Sequence, residues 1–240
     1  MRHPESSTAV TPTNSRRSRP KATLLSGAAI AAVLAALLGT QPGLAGSSGA
    51  SDAQSQIEDL PVCYARGTDT IGRAVNAPAG TDLDSTAALV DPTFTAGLEF
   101  FRRCFAPNFS FTLSNNGTAG RTVPDPATRT PKTDAALQWA NFVNNAFRGP
   151  AYVATQHHMG SISSEVHGDK ADMKSYLIAT HMFGPKSTRT GVSVVYGTYI
   201  DVAVRIKGTW LLEHRTLDTT ASVPIAAPPQ PGVRPAAAPR

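Results

Sequence analysis

Apolar residues between positions 57 and 148 recur every three to four residues, which is the spacing of helices that bury one face. Three such helices are predicted. The first presents an apolar face made of Ile57, Leu60, Tyr64, Thr68 and Ile71. The second begins at Pro92, and the third runs from a capping Thr133 to the residue before Gly149.

After residue 150 the pattern becomes strand-like. Four long runs alternate apolar and polar residues, and short polar turns such as Lys207-Gly208 join them. One further strand, residues 109–114, lies between the second and third helices. This order predicts an α+β fold in which a curved antiparallel sheet, shaped like a cone, wraps around three helices. Such a sheet leaves a single pocket at its open end, where a small molecule fits.

The two ends of the chain differ from this central region. Residues 1–45 combine a basic stretch, an apolar run and small residues near Ala45, as in an export signal. The apolar run is shorter than the roughly 20 residues that span a bilayer, so we expect an exported protein, periplasmic or extracellular, with a retained membrane anchor as the alternative. Residues 46–56 are predicted to be a linker, 57–220 the folded domain, and the Pro- and Ala-rich 221–240 a disordered tail.

The basic excess of the chain lies mostly in the predicted export signal. The whole chain has 22 basic and 17 acidic residues. Five of the basic residues and one of the acidic ones fall in residues 1–45, which leaves 17 and 16, a net charge of about +1. Because no basic cluster remains, we exclude nucleic acid as a partner.

The chain has two cysteines, Cys63 and Cys104. In an oxidising compartment they can form a disulfide if their Cα atoms come close, and two separately buried side chains are the equally good alternative. They make a poor zinc site because no histidines stand at ligand spacing. No dinucleotide-binding glycine pattern and no phosphate loop is found, so we predict no cofactor and no metal.

Three segments of the chain resemble a known family. They are YARGTDTIGR, ATQHHMGSISSEVHGDKADMKSYLIATHMF and YGTYIDVAVRIKGTWLLEHRTLD. In this order, from about Ile57 to Thr220, they resemble the SnoaL-like proteins of the nuclear-transport-factor-2-like superfamily, and they are most similar to its scytalone dehydratase-like branch. The resemblance implies an acid/base site made of Asp69, His157 and His181. Those enzymes also hold a carbonyl through water with tyrosines, and this chain has Thr68 where one of them stands.

Strand alternation gives an independent reason to consider the two histidines. Successive side chains of a strand point to opposite faces. His157 and His181 each share a face with small or apolar residues, as the wall of a pocket requires, whereas His158 points the other way. A histidine that is only hydrogen-bonded within the core remains the alternative for both.

Three further residues are candidates for contact with a substrate: Tyr64, Tyr199 and Asp201. Tyr64 lies five residues before Asp69 and either lines the pocket or packs in the core. Tyr199 and Asp201 alternate with Arg205 on one strand face. There an Asp–Arg ion pair and the polar rim of a pocket are the two alternatives.

A carboxylate that orients one of two histidines suits removal of a proton next to a carbonyl, followed by loss of water or a double-bond shift. The hypothesis is therefore a cofactor-independent lyase or isomerase that acts on a small cyclic or aromatic substrate. Two alternatives stay open. One is a non-catalytic module that binds a small apolar or aromatic ligand. The other is a homodimer formed through an open sheet face that carries Val192, Val194, Ile200 and Val202.

Overall fold

The computed structural model describes residues 47–80 and 82–227. The predicted export signal and residues 228–240 of the predicted tail lie outside these ranges. The elements, in chain order, are α1 (Ser47–Gly72), a short 3₁₀ helix (Ala87–Val90), α2 (Pro92–Cys104), β1 (Phe105–Asn115), β2 (Thr118–Val123), α3 (Ala135–Arg148), β3 (Tyr152–His167), β4 (Lys170–Phe183), β5 (Val192–Ile206) and β6 (Thr209–Ile225). No helix within these ranges has the length and apolar character needed to cross a membrane.

Helix α1 buries the face that the sequence predicts. Its five predicted positions are all buried: Ile57, Leu60, Tyr64, Thr68 and Ile71. The helix also includes residues 47–56, which were predicted to be a linker. Tertiary contacts explain this difference, because the Gln54 side chain donates to Ser164 Oγ of β3 at 2.8 Å. Such contacts override the low helix propensity of a Ser- and Gly-rich segment.

Carboxylates cap the other two α-helices. Asp91 accepts hydrogen bonds from two backbone N–H groups in the first turn of α2, which begins at Pro92 as predicted. Asp134 accepts from the N–H of Leu137 at 3.0 Å and caps α3, so the predicted cap at Thr133 is wrong by one residue.

Helices α1 and α2 cross closely and are covalently joined. Cys63 and Cys104 form a disulfide with Cα atoms 6.2 Å apart, which decides between the two alternatives for these residues. At the crossing, a Cβ added to Gly97 would lie 2.5 Å from Cγ1 of Ile71, so only glycine fits. The end of α1 is equally tight against β3, because a Cβ on Gly72 would lie 2.5 Å from Oγ1 of Thr155.

The six strands form one curved sheet in the order β2-β1-β6-β5-β4-β3. It is a mixed sheet, because β1 pairs with β6 in parallel while the other pairs are antiparallel. The sequence predicts an antiparallel sheet, and the pair of β1 with β6 is the one that differs, because alternation shows which face a side chain takes but not the direction of the neighbouring strand. Strand β2 is not among the strands that the sequence predicts. It forms a hairpin with β1 around Asn116-Gly117, both with positive φ.

Strand β6 continues into the predicted disordered tail. Residues 221–225 pair with β5, with Val194 opposite Val223 and Val192 opposite Ile225. Pairing with β1 ends at Thr219, so no strand of the described residues pairs with the last residues of β6 on that side. Because Pro224 has no N–H to donate, a strand with a free edge tolerates it.

The concave face of the sheet packs on the helices and forms the core. Strand β4 shows this most regularly, since every second residue is buried: Ala171, Met173, Ser175, Leu177, Ala179, His181 and Phe183. His181 therefore points to the helical side, as the alternation predicts, while His158 on β3 is exposed.

Candidate active site

His157 on β3 and Asp69 on α1 form a hydrogen-bonded pair. Nδ1 of His157 lies 2.7 Å from Oδ1 of Asp69, and the backbone N–H of His157 donates to Oδ2 at 3.0 Å. The Thr155 hydroxyl donates to Oδ1 at 3.0 Å. The His157 and Asp69 side chains are 6% and 16% exposed, so the contact is largely shielded from water. Three hydrogen bonds thus fix the carboxylate and the ring in one geometry.

The hydrogen bonds of this pair determine which ring nitrogen of His157 is free. An ionised carboxylate can only accept hydrogen bonds, so Nδ1 of the neutral ring carries the proton and donates to Asp69. Nε2 then holds the lone pair, and no residue in the described ranges forms a hydrogen bond with it. His157 therefore has one nitrogen held by Asp69 and a second one available to a ligand.

His181 lies beside His157 on the neighbouring strand. The two ring centroids are 5.7 Å apart and the ring planes are nearly perpendicular. Burial lowers the pKa of His181 to about 4, and the proximity of His157 acts in the same direction. His181 is therefore neutral near neutral pH. Tyr152 stacks on its ring with the centroids 5.0 Å apart.

A cavity of about 280 Å³ opens next to these rings. It lies near the small end of ligand pockets, which begin at roughly 300 Å³. Apart from the two histidines and two threonines, its wall is apolar or aromatic and includes Tyr64, Phe111, Leu113, Trp139, Phe142, Val143, Phe147, Leu177, Val195, Tyr199 and Leu217. A compact, largely apolar molecule fits such a wall.

Of the six predicted site residues, four line this cavity: His157, His181, Tyr64 and Tyr199. Asp69 lies behind His157 and faces a separate groove of about 520 Å³, which Arg66 and Arg73 also line. The His157–Asp69 contact thus lies between the apolar cavity and a more open groove lined by both polar and apolar residues.

Asp201, the sixth predicted residue, does not line the cavity. It accepts hydrogen bonds from Arg215, from Nε at 2.7 Å and from Nη2 at 2.6 Å, and both side chains are fully buried. The rings of Tyr64 and Tyr199 lie over the guanidinium at 4.2 and 4.1 Å. Burial alone would lower the pKa of Arg215, but the Asp201 carboxylate raises it and keeps the group charged.

Of the two alternatives for Asp201 and Arg205, the ion pair between them does not form. Arg205 is exposed and forms a 2.7 Å ion pair with Asp169 at the surface. Asp201 and Arg215 stand opposite each other on β5 and β6, and spacing within a single strand cannot show such a partner. The only signal for Arg215 in the sequence is the closing arginine of the segment YGTYIDVAVRIKGTWLLEHRTLD.

The two tyrosines form a linked pair above this ion pair. Burial raises the pKa of Tyr64 and raises that of Tyr199 still more, and the two ring centroids lie 5.5 Å apart. Both phenols therefore remain protonated at neutral pH. Both rings line the cavity, and the Tyr64 and His157 ring centroids are 6.5 Å apart.

The outer face of the sheet carries exposed apolar residues, though not all of the predicted ones. Ile200 is 51% exposed, but Val194 is buried within the single chain, and Val192 and Val202 are half-buried. The other large exposed residues of the strands are Val166, Tyr176, Ile178, Met182, Tyr196, Val223 and Ile225.

These features define an α+β cone domain whose apolar cavity is bordered by a His–Asp pair. Residues 95–216, just over half of the 240-residue chain, match the family model of the SnoaL-like domain. The chain therefore belongs to the SnoaL-like domain family. No curated protein matches the sequence.

Several solved structures share the fold. Hexachlorocyclohexane dehydrochlorinase LinA-type3 from Novosphingobium barchaimii is 15% identical, with a TM-score of 0.50, and the match covers 76% of this chain and 99% of that one. A scytalone dehydratase-like protein from Novosphingobium aromaticivorans is 17% identical, with a TM-score of 0.46 and coverage of 78% and 99%. The Kfla4162 protein from Kribbella flavida is 19% identical, with a TM-score of 0.49 and coverage of 72% and 95%. At these identities the likeness concerns the fold alone.

Proposed function

We propose that the domain is a cofactor-independent lyase of the dehydratase type, or an isomerase, in which His157 removes a proton from a small cyclic or aromatic substrate. One observation supports this most directly. The 2.7 Å contact with Asp69 holds Nδ1 of His157, while the same ring lines an apolar cavity. This arrangement leaves a positioned base next to a space of substrate size.

The proposed reaction needs no group beyond these side chains. Nε2 of His157 takes a proton from a carbon next to a carbonyl, and the C–H electron pair moves towards the carbonyl. Asp69 stabilises the imidazolium that forms. In a dehydratase, the imidazolium returns the proton to a departing hydroxyl, so that water leaves and a double bond forms. In an isomerase, the proton returns to a different carbon.

The structure changes the role proposed for His181. A pKa of about 4 makes this residue a poor source of a proton near neutral pH. We propose instead that neutral His181 orients the substrate, and that His157 both takes and returns the proton. The phenols of Tyr64 and Tyr199 line the cavity wall and are the proposed donors to a substrate oxygen.

The test compares the wild-type protein with His157→Ala and His181→Ala on a panel of small cyclic ketols. Loss of water or a double-bond shift is followed by absorbance and NMR, and exchange of the abstracted proton is followed in D₂O. His157→Ala should abolish both turnover and exchange, whereas His181→Ala should raise KM more than it lowers kcat. Full activity in both variants would end the proposal.

A second candidate function is the binding of a small apolar ligand without chemistry, and the wall of the cavity favours it. Nearly all of that wall is apolar or aromatic, which suits retention of a ligand as well as turnover. A ligand that co-purifies with the protein and is recovered unchanged after long incubation would support this candidate. Recovery of a converted product would refute it.

Export and dimerisation complete the proposal. We propose that residues 1–45 direct export, and N-terminal sequencing of protein from the culture medium or periplasm would locate the cleavage site or show a retained anchor.

We also propose that two copies pair through the outer face of the sheet, around Ile178, Tyr196 and Ile200, because these side chains are 42–51% exposed. A strict monomer in light scattering over a wide concentration range would contradict this pairing.

A further inference from the structure

A further pocket, of about 380 Å³, lies between the ends of α1 and α3 and the loop that follows β4. It shares no lining residue with the apolar cavity. Its polar lining residues are Asn76, Arg148, Tyr152 and Lys186, and it has no acidic lining residue. The pocket therefore contains two cations, one amide and one phenol, and no carboxylate to balance them.

Arg148 is the unusual member of this set. It is half-buried, and its Nη2 donates to the backbone carbonyl of Gly72 at 2.9 Å. That bond closes the last turn of α1 and is a structural role, but it uses only one of the three nitrogens. Nε is buried without a hydrogen-bond partner in the described part of the chain, and no carboxylate there forms an ion pair with the guanidinium.

The environment of Arg148 is costly for a charged group. Burial lowers its pKa, and the carboxylate of Asp91, which opposes this, does not reach ion-pair distance. A partly buried charge without a counter-charge is unfavourable unless a ligand supplies one. Lys186 lines the same pocket and adds a second positive charge instead of relieving the first. The pocket as a whole therefore favours an anion.

We propose that this pocket binds an oxyanion, a carboxylate or a phosphate group, between Arg148 and Lys186. Nη1 of Arg148, which no described residue binds, can donate to an oxygen of such a group, and the ammonium acts as a point charge beside it. The amide of Asn76 is a further donor on the wall. Tyr152 lines this pocket and also stacks on His181, so it stands between the anion and the apolar cavity.

The two sources of an oxyanion are distinguished by titrating the full-length protein at low ionic strength with inorganic phosphate and, separately, with acetate. Binding is measured by calorimetry and by the ligand-induced rise of Tm. Tighter binding of phosphate would point to a phosphorylated ligand, and tighter binding of acetate to a carboxylate. Dissociation constants weaker than about 10 mM for both anions would overturn the proposal.

Variants locate the site. Arg148→Gln should weaken binding roughly tenfold or more, because hydrogen bonds to a charged group are lost. If that variant does not fold, owing to the lost contact with Gly72, Lys186→Gln in the exposed loop gives the answer, with an expected loss of about two- to fivefold. Lys174→Gln on the outer sheet face removes the same charge elsewhere and should leave binding unchanged. Equal losses for the two lysine variants would show a diffuse charge effect and contradict the site.

The proposal is independent of the proposed acid/base activity. His157→Ala should bind phosphate or acetate as the wild-type protein does, because His157 does not line this pocket. If the protein binds the anion but converts no ketol, the anion site stands and the enzymatic hypothesis fails. If it converts a ketol but binds neither anion, the enzymatic hypothesis stands and the anion site fails.

Discussion

Two carboxylates in this domain have nitrogen partners at similar distances, yet their surroundings differ. Asp69 contacts His157 at 2.7 Å, and Asp201 contacts Arg215 at 2.6 and 2.7 Å. The first pair borders a cavity and a groove, and one ring nitrogen remains free. The second pair has no exposed surface, and two tyrosine rings cover its guanidinium. A short hydrogen bond alone therefore does not identify an active site.

Access is what distinguishes the two pairs. A group that performs acid/base chemistry must change its charge and reach a ligand, as His157 is placed to do. The guanidinium of Arg215 stays charged and is sealed from solvent, so the same kind of contact serves packing instead. Replacing each carboxylate by alanine should therefore affect different quantities in the two regions.

Of the variants that compare the two carboxylates, Asp69→Ala should produce the largest effect on activity. Without the carboxylate, His157 loses the partner that fixes its tautomer and stabilises its charged form, so kcat/KM should fall by roughly 10²–10⁴-fold. The free energy of unfolding should fall by only about 1–2 kcal/mol, for lost hydrogen bonds. Steady-state kinetics and urea unfolding measure the two quantities.

The control for this variant is His158→Ala, because His158 lies next to the candidate base but is exposed on the other face of β3. It should keep nearly full activity. If both variants lost activity to the same degree, the loss would come from disturbance of the strand, and the role given to Asp69 would be wrong.

Asp201→Ala should show the reverse pattern, with stability as the main loss. It leaves the buried guanidinium of Arg215 without its counter-charge, which costs about 3–5 kcal/mol. Urea unfolding measures this, and Asp169→Ala is the matched control, because it removes the same kind of partner from exposed Arg205 and should cost less than about 1 kcal/mol. Equal costs at the two sites would contradict the importance of burial.

A double variant sharpens the comparison further. Asp201→Leu combined with Arg215→Met removes both charges and fills similar volume, so much of the lost stability should return. The same logic cannot rescue the other pair, because replacing Asp69 and His157 together removes the base itself. If the Asp201/Arg215 double variant regains stability while the Asp69/His157 double variant stays inactive, the first carboxylate has a structural role and the second a chemical one.

The sequence predicts which face of a helix or strand is buried much better than it predicts which element packs against that face. The apolar stripe of α1 and the inward direction of His181 follow from periodicity, which is local, and the structure confirms both. The cavity position of His157 beside Asp69 depended on family resemblance, because the two residues are 88 positions apart in the chain. A pattern within one helix or strand cannot predict a contact between residues so far apart in the chain.

The features that the sequence does not predict share one physical cause, which is contact between distant segments. The parallel pairing of β1 with β6, the partner of Asp201 and the helical state of residues 47–56 are all decided by such contacts. The low pKa of His181 is a further example, since burial by surrounding elements produces it. Periodicity reports which side of an element is buried and carries no information on what buries it.

Acid should destabilise the domain through His181. Its pKa is about 4 in the folded state and about 6.5 in the unfolded chain, so the unfolded state binds the extra proton between these values. The contribution of His181 to the free energy of unfolding is therefore fully present above about pH 6.5. It declines as the pH falls towards 4, by on the order of 2–3 kcal/mol. Urea unfolding at several pH values measures the slope. His181→Gln should flatten it, and an unchanged slope in this variant would assign the effect to other groups.

Thr155→Val should produce the smallest effect and test how tightly Asp69 must be held. The variant removes one of the three hydrogen bonds on the carboxylate and keeps the shape of the side chain. The expected loss is about 0.5–1.5 kcal/mol in stability and less than about tenfold in kcat, because the two contacts with His157 remain. Thr180→Val, on a hydroxyl of the neighbouring strand that does not bond Asp69, is the control. A loss of activity as large as that of Asp69→Ala would mean that the position of the carboxylate, and not only its charge, limits the reaction.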